Sequence, residues 1–303
     1  MMEILSFMGR KQTHMSKLKR DKSNPFYIDG HRAMVSLGPL TDHTYCPYRC
    51  AFCYVQDEFG SYVNLGLIEI IDFLVKNRDR YNIIYISGDT DSFAPPRAQQ
   101  GIKLLGDIVK AVNCDLTFST RSIFSDSEYE QLSEIIKEHQ KSGYKFIAGS
   151  SITRYSASTT YLEPYPIPSP DERIQHIKKM KQLGAITMLG LRPFLPIVNM
   201  NDYAIILDKL HPDLDIALGE CFFFIRGGNI QRRVFPDGIS ADVEKNIVRN
   251  QVMDFDDNDF LWDIWNSTEY EKFVADHCAK LGIIFAMHSK EALEAYDKLC
   301  NKK

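Results

Sequence analysis

The sequence alternates short β-branched or aromatic runs with longer helical patterns over most of its length. Predicted strands lie at 34–40, 82–87, 115–120, 145–151, 185–192 and 214–225, with a candidate seventh at 282–287. Helical patterns lie between them at 66–80, 98–112, 126–142, 170–183 and 201–210. A spacing of about 30 residues is typical of βαβ units with parallel strands and right-handed crossovers. Six such units predict one α/β domain, a partial parallel (β/α)6 TIM-like barrel, rather than two separate domains.

The alternation also suggests where the domain begins and ends. We expect a barrel core at 34–225, a basic N-terminal arm at 1–33 and a C-terminal extension at 226–303 that closes the barrel. From Arg10 to Arg32 there are seven Lys or Arg and two Asp, which gives a local charge of +5. Two interpretations of this charge stay open: a solvated arm, or an arm that closes over an anionic substrate.

Composition limits the class of partner. The chain has 36 Lys and Arg against 40 Asp and Glu, and a net charge of -4 argues against a protein that coats nucleic acid. No apolar run reaches the roughly 18–20 residues that cross a bilayer, and no secretory signal is evident, so we predict a cytoplasmic protein without membrane partners. Seven cysteines in such a chain favour metal or redox chemistry over disulfides.

Three of these cysteines form one compact motif. Cys46, Cys50 and Cys53 are spaced C-x3-C-x2-C and follow the first predicted strand, on a loop where three thiolates can surround one metal cluster. Iron–sulfur clusters usually have four Cys ligands, so three leave one iron open to another molecule. The alternative is a zinc site of three Cys and His43, although zinc ligands commonly come as two separated pairs.

This motif resembles the signature of the radical S-adenosylmethionine (radical SAM) superfamily. Phe52 and Tyr54, on either side of the third cysteine, also fit the pattern. The resemblance implies a [4Fe–4S] cluster on the three cysteines and SAM on the open iron. It also implies reductive cleavage of SAM to a 5′-deoxyadenosyl radical that abstracts hydrogen from a substrate. An electron donor such as flavodoxin or ferredoxin is implied as well.

The resemblance further implies SAM contacts at the ends of the other strands. The candidate residues are Gly88, Asp89, Thr90 and Asp91 after the second strand, Arg121 after the third, Ser150 and Ser151 after the fourth, and Arg192 after the fifth. Asp89 or Asp91 would contact the SAM ammonium and Arg121 its carboxylate. The two serines would contact the ribose, and Arg192 either SAM or substrate. A capped turn at 88–91 and a structural salt bridge of Arg121 are the alternatives.

Further motifs are similar to the spore photoproduct lyase-like, DNA repair photolyase-type branch of this superfamily. They are Ser-Ile-Thr at 151–153, Leu-Glu-Pro at 162–164, Pro-Ser-Pro-x-x-Arg at 168–173 and Arg-Pro-Phe-Leu-Pro-Ile at 192–197. The likeness runs from about residue 35 to 205. The lyase has a hydrogen-donating cysteine ahead of its strand-two motif, whereas this chain has no Cys between 54 and 113. Arg121 stands where the lyase has Lys.

The favoured interpretation is a radical SAM enzyme that acts on a small molecule or peptide, with a lyase or epimerase outcome. Cys221, in the C-terminal half of the sixth predicted strand, is a candidate hydrogen-atom donor, with Glu220 or Arg226 positioning the substrate. One alternative is a nucleic-acid lesion lyase, for which the net charge supplies no basic surface. Another is a non-catalytic zinc-binding protein, which would not need the polar strand ends.

Overall fold

The computed structural model describes residues 26–37, 46–55, 67–88, 90–252 and 261–300. Its main sheet has eight strands in the order β1-β2-β3-β4-β5-β6-β7-β11. They are β1 Phe26–Asp29, β2 Arg32–Val35, β3 Ile83–Ile86, β4 Asp115–Thr120, β5 Phe146–Ser151, β6 Ile186–Leu191, β7 Ile216–Gly219 and β11 Ile284–Ala286. Only β1 is antiparallel to its neighbour in this sheet; every other pairing is parallel. The predicted α/β class and partial parallel barrel are confirmed.

A helix follows each of the strands β2 to β6. These helices are α1 Leu67–Lys76, α2 Ala98–Ala111, α3 Asp126–Lys141, α4 Pro170–Gln182 and α5 Met200–Leu210. Two of them begin with a capping box, in which Ser125 and Glu128, and likewise Ser169 and Glu172, satisfy each other's free backbone N–H groups. A 3-10 helix at Ala157–Leu162 lies between β5 and α4. The helices therefore begin where the sequence pattern predicts.

The sheet is buried on both faces. Its outer face packs Ile84, Phe118 and Phe146 against α1, α2 and α3. Its inner face packs Tyr85, Ile147, Met188 and Leu218 against Ala292 of the last helix, α9 Ser289–Cys300. Each large apolar side chain removed from water in this way contributes roughly 1.5–3 kcal/mol. Helix α9 thus covers part of the barrel interior, and the polar strand ends lie beyond that apolar layer.

The sixth predicted strand, 214–225, is wrong as a single element. It divides into β7 and a short strand β8, Phe223–Phe224, which belongs to a second sheet with β10 Leu261–Trp265 and β9 Ile247–Val252. The chain leaves the main sheet at Glu220, whose carbonyl accepts a hydrogen bond from Phe194 N–H at 2.8 Å. The candidate strand at 282–287 is confirmed as β11.

The described part of the C-terminal segment also has three short or medium-length helices before α9. It contains α6 Asn229–Val234, α7 Ala241–Glu244 and α8 Thr268–Leu281. Among the helices that the structure describes, none combines the length and the apolar character needed to cross a membrane.

Candidate functional site

The carboxyl ends of the parallel strands surround a cavity of about 410 Å³. In parallel barrels this end of the strands carries the chemistry. Most of the predicted site residues line it: Cys46, Cys50, Phe52, Cys53, Tyr54, Gly88, Thr90, Asp91, Arg121, Ser151 and Arg192. Asp89 and the alternative zinc ligand His43 lie outside the described residues. Ser150 and Cys221 are described and do not line the cavity.

The backbone of the cysteine loop is held by hydrogen bonds on two sides. Ala51 N–H donates to Leu162 O at 2.9 Å, which ties the loop to the 3-10 helix. From the other side, the Arg233 guanidinium of α6 donates to Ala51 O at 3.0 Å and to Cys53 O at 3.1 Å. Sequence reasoning missed Arg233, because the motifs end before residue 205 and only the fold brings α6 to this loop.

Burial raises the pKa of the Cys46 thiol to about 11 and that of Cys50 to about 12. The charge of Asp91 contributes to the raised pKa of Cys46, whereas Arg121 opposes the rise at Cys50. Such thiols bind metal with loss of the proton. No three His, Cys, Asp or Glu side chains within the described part of the chain are grouped to hold a metal ion. In a [4Fe–4S] cluster each thiolate binds a different iron, and three thiols on one cavity wall suit that donor set.

The segment after β3 contributes backbone and one buried carboxylate. A Cβ on Gly88 would lie 2.4 Å from Met34 Cε, so only glycine fits there without moving that side chain. The Asp91 carboxylate accepts hydrogen bonds from Thr120 Oγ1 at 2.7 Å and from Arg121 N–H at 2.7 Å. Burial raises the pKa of Asp91. Asp91 therefore connects this segment to the end of β4. The neighbouring Thr90 Oγ1 donates a hydrogen bond to Leu37 O at 3.1 Å.

Arg121 brings a positive charge to the cavity wall. Its guanidinium carbon lies 5.7 Å from the centre of the Phe52 ring, and its Nε donates to Glu163 Oε1 at 3.2 Å. Burial alone would lower the pKa of Arg121, but Cys50 and Glu163 outweigh it and raise that pKa. The salt bridge that the sequence left as an alternative for Arg121 is therefore present, and the side chain faces the cavity as well.

The two predicted serines lie on opposite faces of β5, because side chains alternate along a strand. Ser151 lines the cavity, and its Oγ lies 3.4 Å from Ser119 Oγ. Ser150 is fully buried, on the same face of β5 as Phe146 and Ala148, which belong to the outer core. The structure thus brings Ser151 to the site and directs Ser150 away from it. Arg192, at the end of β6, lines the cavity.

Cys221 lies between β7 and β8, and its side chain is directed away from the cavity. Glu220 and Phe222 line the cavity, while the Cys221 thiol accepts a hydrogen bond from Ser267 Oγ at 3.4 Å and lies 3.8 Å from Glu271 Oε1. The thiol therefore faces α8, and the predicted hydrogen donation into the cavity has no geometric support. Arg226 pairs with Asp263 at 2.6 Å and is likewise absent from the described lining.

Solved structures with a similar fold include a lyase and a methyltransferase that bind SAM or a SAM analog. A spore photoproduct lyase with bound AdoMet and dinucleoside spore photoproduct gives a TM-score of 0.61 at 15% identity, covering 79% of this chain and 73% of the lyase. A radical S-adenosylmethionine methyltransferase from Kitasatospora setae, with tryptophan substrate and a SAM analog bound, gives 0.53 at 12% identity. That match covers 85% of this chain and 60% of the methyltransferase. At such identities the likeness concerns the fold.

The sequence itself matches one protein family. None of the curated proteins matches it. The Radical SAM superfamily matches residues 41–210, more than half of the 303 residues, and this span contains the three cysteines and the ends of β3 to β6. The chain therefore belongs to the radical SAM superfamily, a class of enzymes whose cofactors are a [4Fe–4S] cluster and S-adenosylmethionine.

Proposed function

We propose that this enzyme cleaves SAM reductively and abstracts a hydrogen atom from a small-molecule or peptide substrate in the barrel cavity. The observation that carries the proposal is the cavity lining. Three thiols on one loop face the same space as the polar ends of β3 to β6. A protein that used the cysteines only as a structural staple would not need those polar strand ends.

Different residues of the chain would bind the cluster and the separate parts of SAM. Cys46, Cys50 and Cys53 are the proposed cluster ligands, and the buried Phe52 ring excludes water beside them. When bound, the cluster and SAM together supply a 5′-deoxyadenosyl radical on arrival of one electron. The Arg121 guanidinium provides a bidentate partner for the SAM carboxylate. Ser151 offers a hydroxyl to the ribose, and Arg192 offers a second cation.

The wall of the cavity toward the barrel interior suits a small, partly apolar substrate. Met34, Tyr85 and Met188 line it together with the carboxylate of Glu220. The net charge of -4 disfavours a polyanionic substrate. Because Cys221 faces α8, an epimerase outcome needs a hydrogen donor other than this thiol, and a lyase outcome does not depend on it.

Anaerobic reconstitution tests the proposal. The protein with iron, sulfide, SAM and dithionite is expected to turn brown and to release 5′-deoxyadenosine. Cys50→Ala is expected to abolish that release, whereas Cys278→Ala, at a buried thiol in α8, keeps it. A colourless zinc protein that releases no deoxyadenosine would refute the proposal and favour the zinc-binding alternative.

Repair of a nucleic-acid lesion is the second candidate. The structures that favour it are those of spore photoproduct lyase, several of them solved with a dinucleoside spore photoproduct. The reconstituted enzyme can be given that dinucleoside directly. Cleavage of the dinucleoside into its two nucleosides would support a lesion lyase, whereas deoxyadenosine release without that cleavage would leave the small-molecule or peptide proposal in place.

A further inference from the structure

A completely buried carboxylate lies behind the cavity wall. Glu163 ends the 3-10 helix between β5 and α4, and its side chain is inaccessible to solvent. Arg173 of α4, equally buried, binds it through both terminal nitrogens, at 3.0 Å and 2.6 Å. Burial alone would raise the pKa of Glu163, but Arg173 and Arg121 outweigh it and hold the pKa at about 2. Glu163 is therefore charged whenever the protein is folded near neutral pH.

This carboxylate serves more than its primary partner. Arg173 already provides a bidentate ion pair, which is sufficient to neutralise one buried carboxylate. Arg121 nevertheless adds a hydrogen bond from Nε at 3.2 Å, and Arg154 Nε lies 4.0 Å from the same group. Buried ion pairs give little net stability, because desolvation offsets their attraction. A purely stabilising role does not explain the additional arginines.

The bond to Glu163 uses only one side of the Arg121 guanidinium. Within the part of the chain that the structure describes, its terminal nitrogens have no hydrogen-bond acceptor. The side chain is 20% exposed and lines the cavity. A guanidinium anchored through Nε keeps its terminal nitrogens in one plane, which suits bidentate recognition of a carboxylate. Glu163 thus determines the direction in which that fork points.

The same network reaches the neighbouring strand ends. Arg173 Nη1 donates to the carbonyl of Ser151 at 2.5 Å, at the end of β5. Thr153 Oγ1 lies 3.4 Å from Glu163 Oε1 and 3.1 Å from the carbonyl of Arg192, at the end of β6. Two cavity residues are therefore tied to one carboxylate, Arg121 directly and the backbone of Ser151 through Arg173.

We infer that Glu163 is a positioning residue for SAM binding: it orients the Arg121 guanidinium and, through Arg173, the Ser151 end of β5. The inference rests on the proposed function, in which these residues bind SAM. Removal of the carboxylate frees Arg121 to rotate, so the fork is no longer held in place before SAM arrives. Electrostatics alone predicts tighter SAM binding without the Glu163 charge, because loss of a negative charge next to Arg121 would strengthen the attraction of Arg121 for the SAM carboxylate.

Equilibrium dialysis with radiolabelled SAM on the reconstituted protein shows whether loss of the Glu163 charge weakens or strengthens SAM binding. Glu163→Gln keeps the side-chain shape and is expected to weaken SAM binding about tenfold, with iron content unchanged. Glu172→Gln is the matched control, since Glu172 caps α4 and, among the residues that the structure describes, its carboxylate accepts hydrogen bonds from Ser169 only. Unchanged or tighter SAM binding by Glu163→Gln would overturn the inference.

A second variant avoids the buried pair, in case Glu163→Gln does not fold. Arg121→Lys keeps the positive charge but removes the Nε that Glu163 holds, so it is expected to lose SAM affinity to a similar extent. Wild-type affinity in Arg121→Lys would also overturn the inference. In an Arg121→Met background, Glu163→Gln should cost less affinity than in the wild type, because only its effect through Arg173 on the Ser151 end of β5 remains. An equal further loss in that background would instead indicate a general structural effect.

The outcome for the wild-type protein separates this inference from the proposed function. Failure of the reconstituted wild-type protein to bind SAM refutes the proposed function, and the inference falls with it. Normal SAM binding by the wild type together with normal binding by Glu163→Gln refutes only the inference. Thermal unfolding midpoints of all variants show whether any change in affinity reflects a damaged fold.

Discussion

Burial alone sets the protonation state of one histidine. His176 of α4 is 1% exposed, its Nδ1 lies 2.9 Å from Tyr129 Oη, and its ring packs on Phe124 at 5.2 Å between centroids. Desolvation lowers its pKa from 6.5 to about 3. The imidazole is therefore neutral in the folded protein over the range in which an exposed histidine takes up a proton.

This residue predicts a pH-dependent stability. In the unfolded chain the imidazole returns to a pKa of 6.5, so below that pH the unfolded state binds a proton that the folded state does not. The stability that neutral His176 contributes is fully present above pH 6.5 and is lost as pH falls toward 3, by about 1.4 kcal/mol per pH unit. His176→Gln keeps a partner for Tyr129 and should flatten the dependence of the unfolding free energy between pH 6.5 and 5. Urea titrations of the apoprotein at several pH values measure the free energy of unfolding, and His31→Gln, at an exposed histidine, is the control. A wild-type pH dependence of this free energy in His176→Gln would contradict the prediction.

At the scale of elements, the sequence predicts those strands well that are short apolar runs between polar helices. β4 and β5 lie within the predicted ranges, because buried parallel strands are short apolar runs between polar helices. The division of 214–225 into β7 and β8 could not be predicted. It depends on a contact between Phe194 and Glu220, two positions with no pattern in common.

Strand packing makes one glycine indispensable. A Cβ on Gly149 of β5 would lie 1.8 Å from the Met188 carbonyl oxygen of β6, and backbone cannot rotate away as a side chain can. Gly149→Ala is therefore expected to lower the free energy of unfolding by about 3 kcal/mol or more. Gly106→Ala in α2, where the added Cβ meets Ile135 Cδ1 at 3.6 Å, should instead raise it by up to about 1 kcal/mol. Denaturant unfolding compares the two, and equal effects would show that this close approach is relaxed in solution.

At the scale of the whole molecule, the C-terminal segment completes the site. We propose that residues 226–303 close the barrel, as the sequence predicts. Two contacts support this proposal: Arg233 of α6 binds the cysteine loop, and α9 covers the apolar interior of the barrel. The Arg233 contacts join residues 180 or more positions apart in sequence, and the α9 contact joins Ala292 to strands as early in the chain as β3.

Arg233 provides a test of that role. Arg233→Met removes the donors to the carbonyls of Ala51 and Cys53, so the loop loses its support on one side. We expect a lower iron content after anaerobic reconstitution, measured with the ferrous and sulfide contents and the visible absorption of the cluster. Arg232→Met, at an exposed neighbour that binds Gly227 and Asn229 within its own turn, should keep the wild-type iron content. Equal loading of the two variants would mean that α6 does not support the loop.

The sequence by itself determined the fold class, the family and the three cysteines, because each depends on local order: a 30-residue alternation, one spacing motif and short polar segments after strands. Only the tertiary structure decided which side chains share the cavity. Strand alternation separates Ser151 from Ser150, and the departure of the chain from β7 turns Cys221 toward Ser267. Glu163 and Arg233 approach the site from distant segments. Orientation about a strand and contacts across the chain are set by packing of the whole domain, and no spacing along the sequence encodes them.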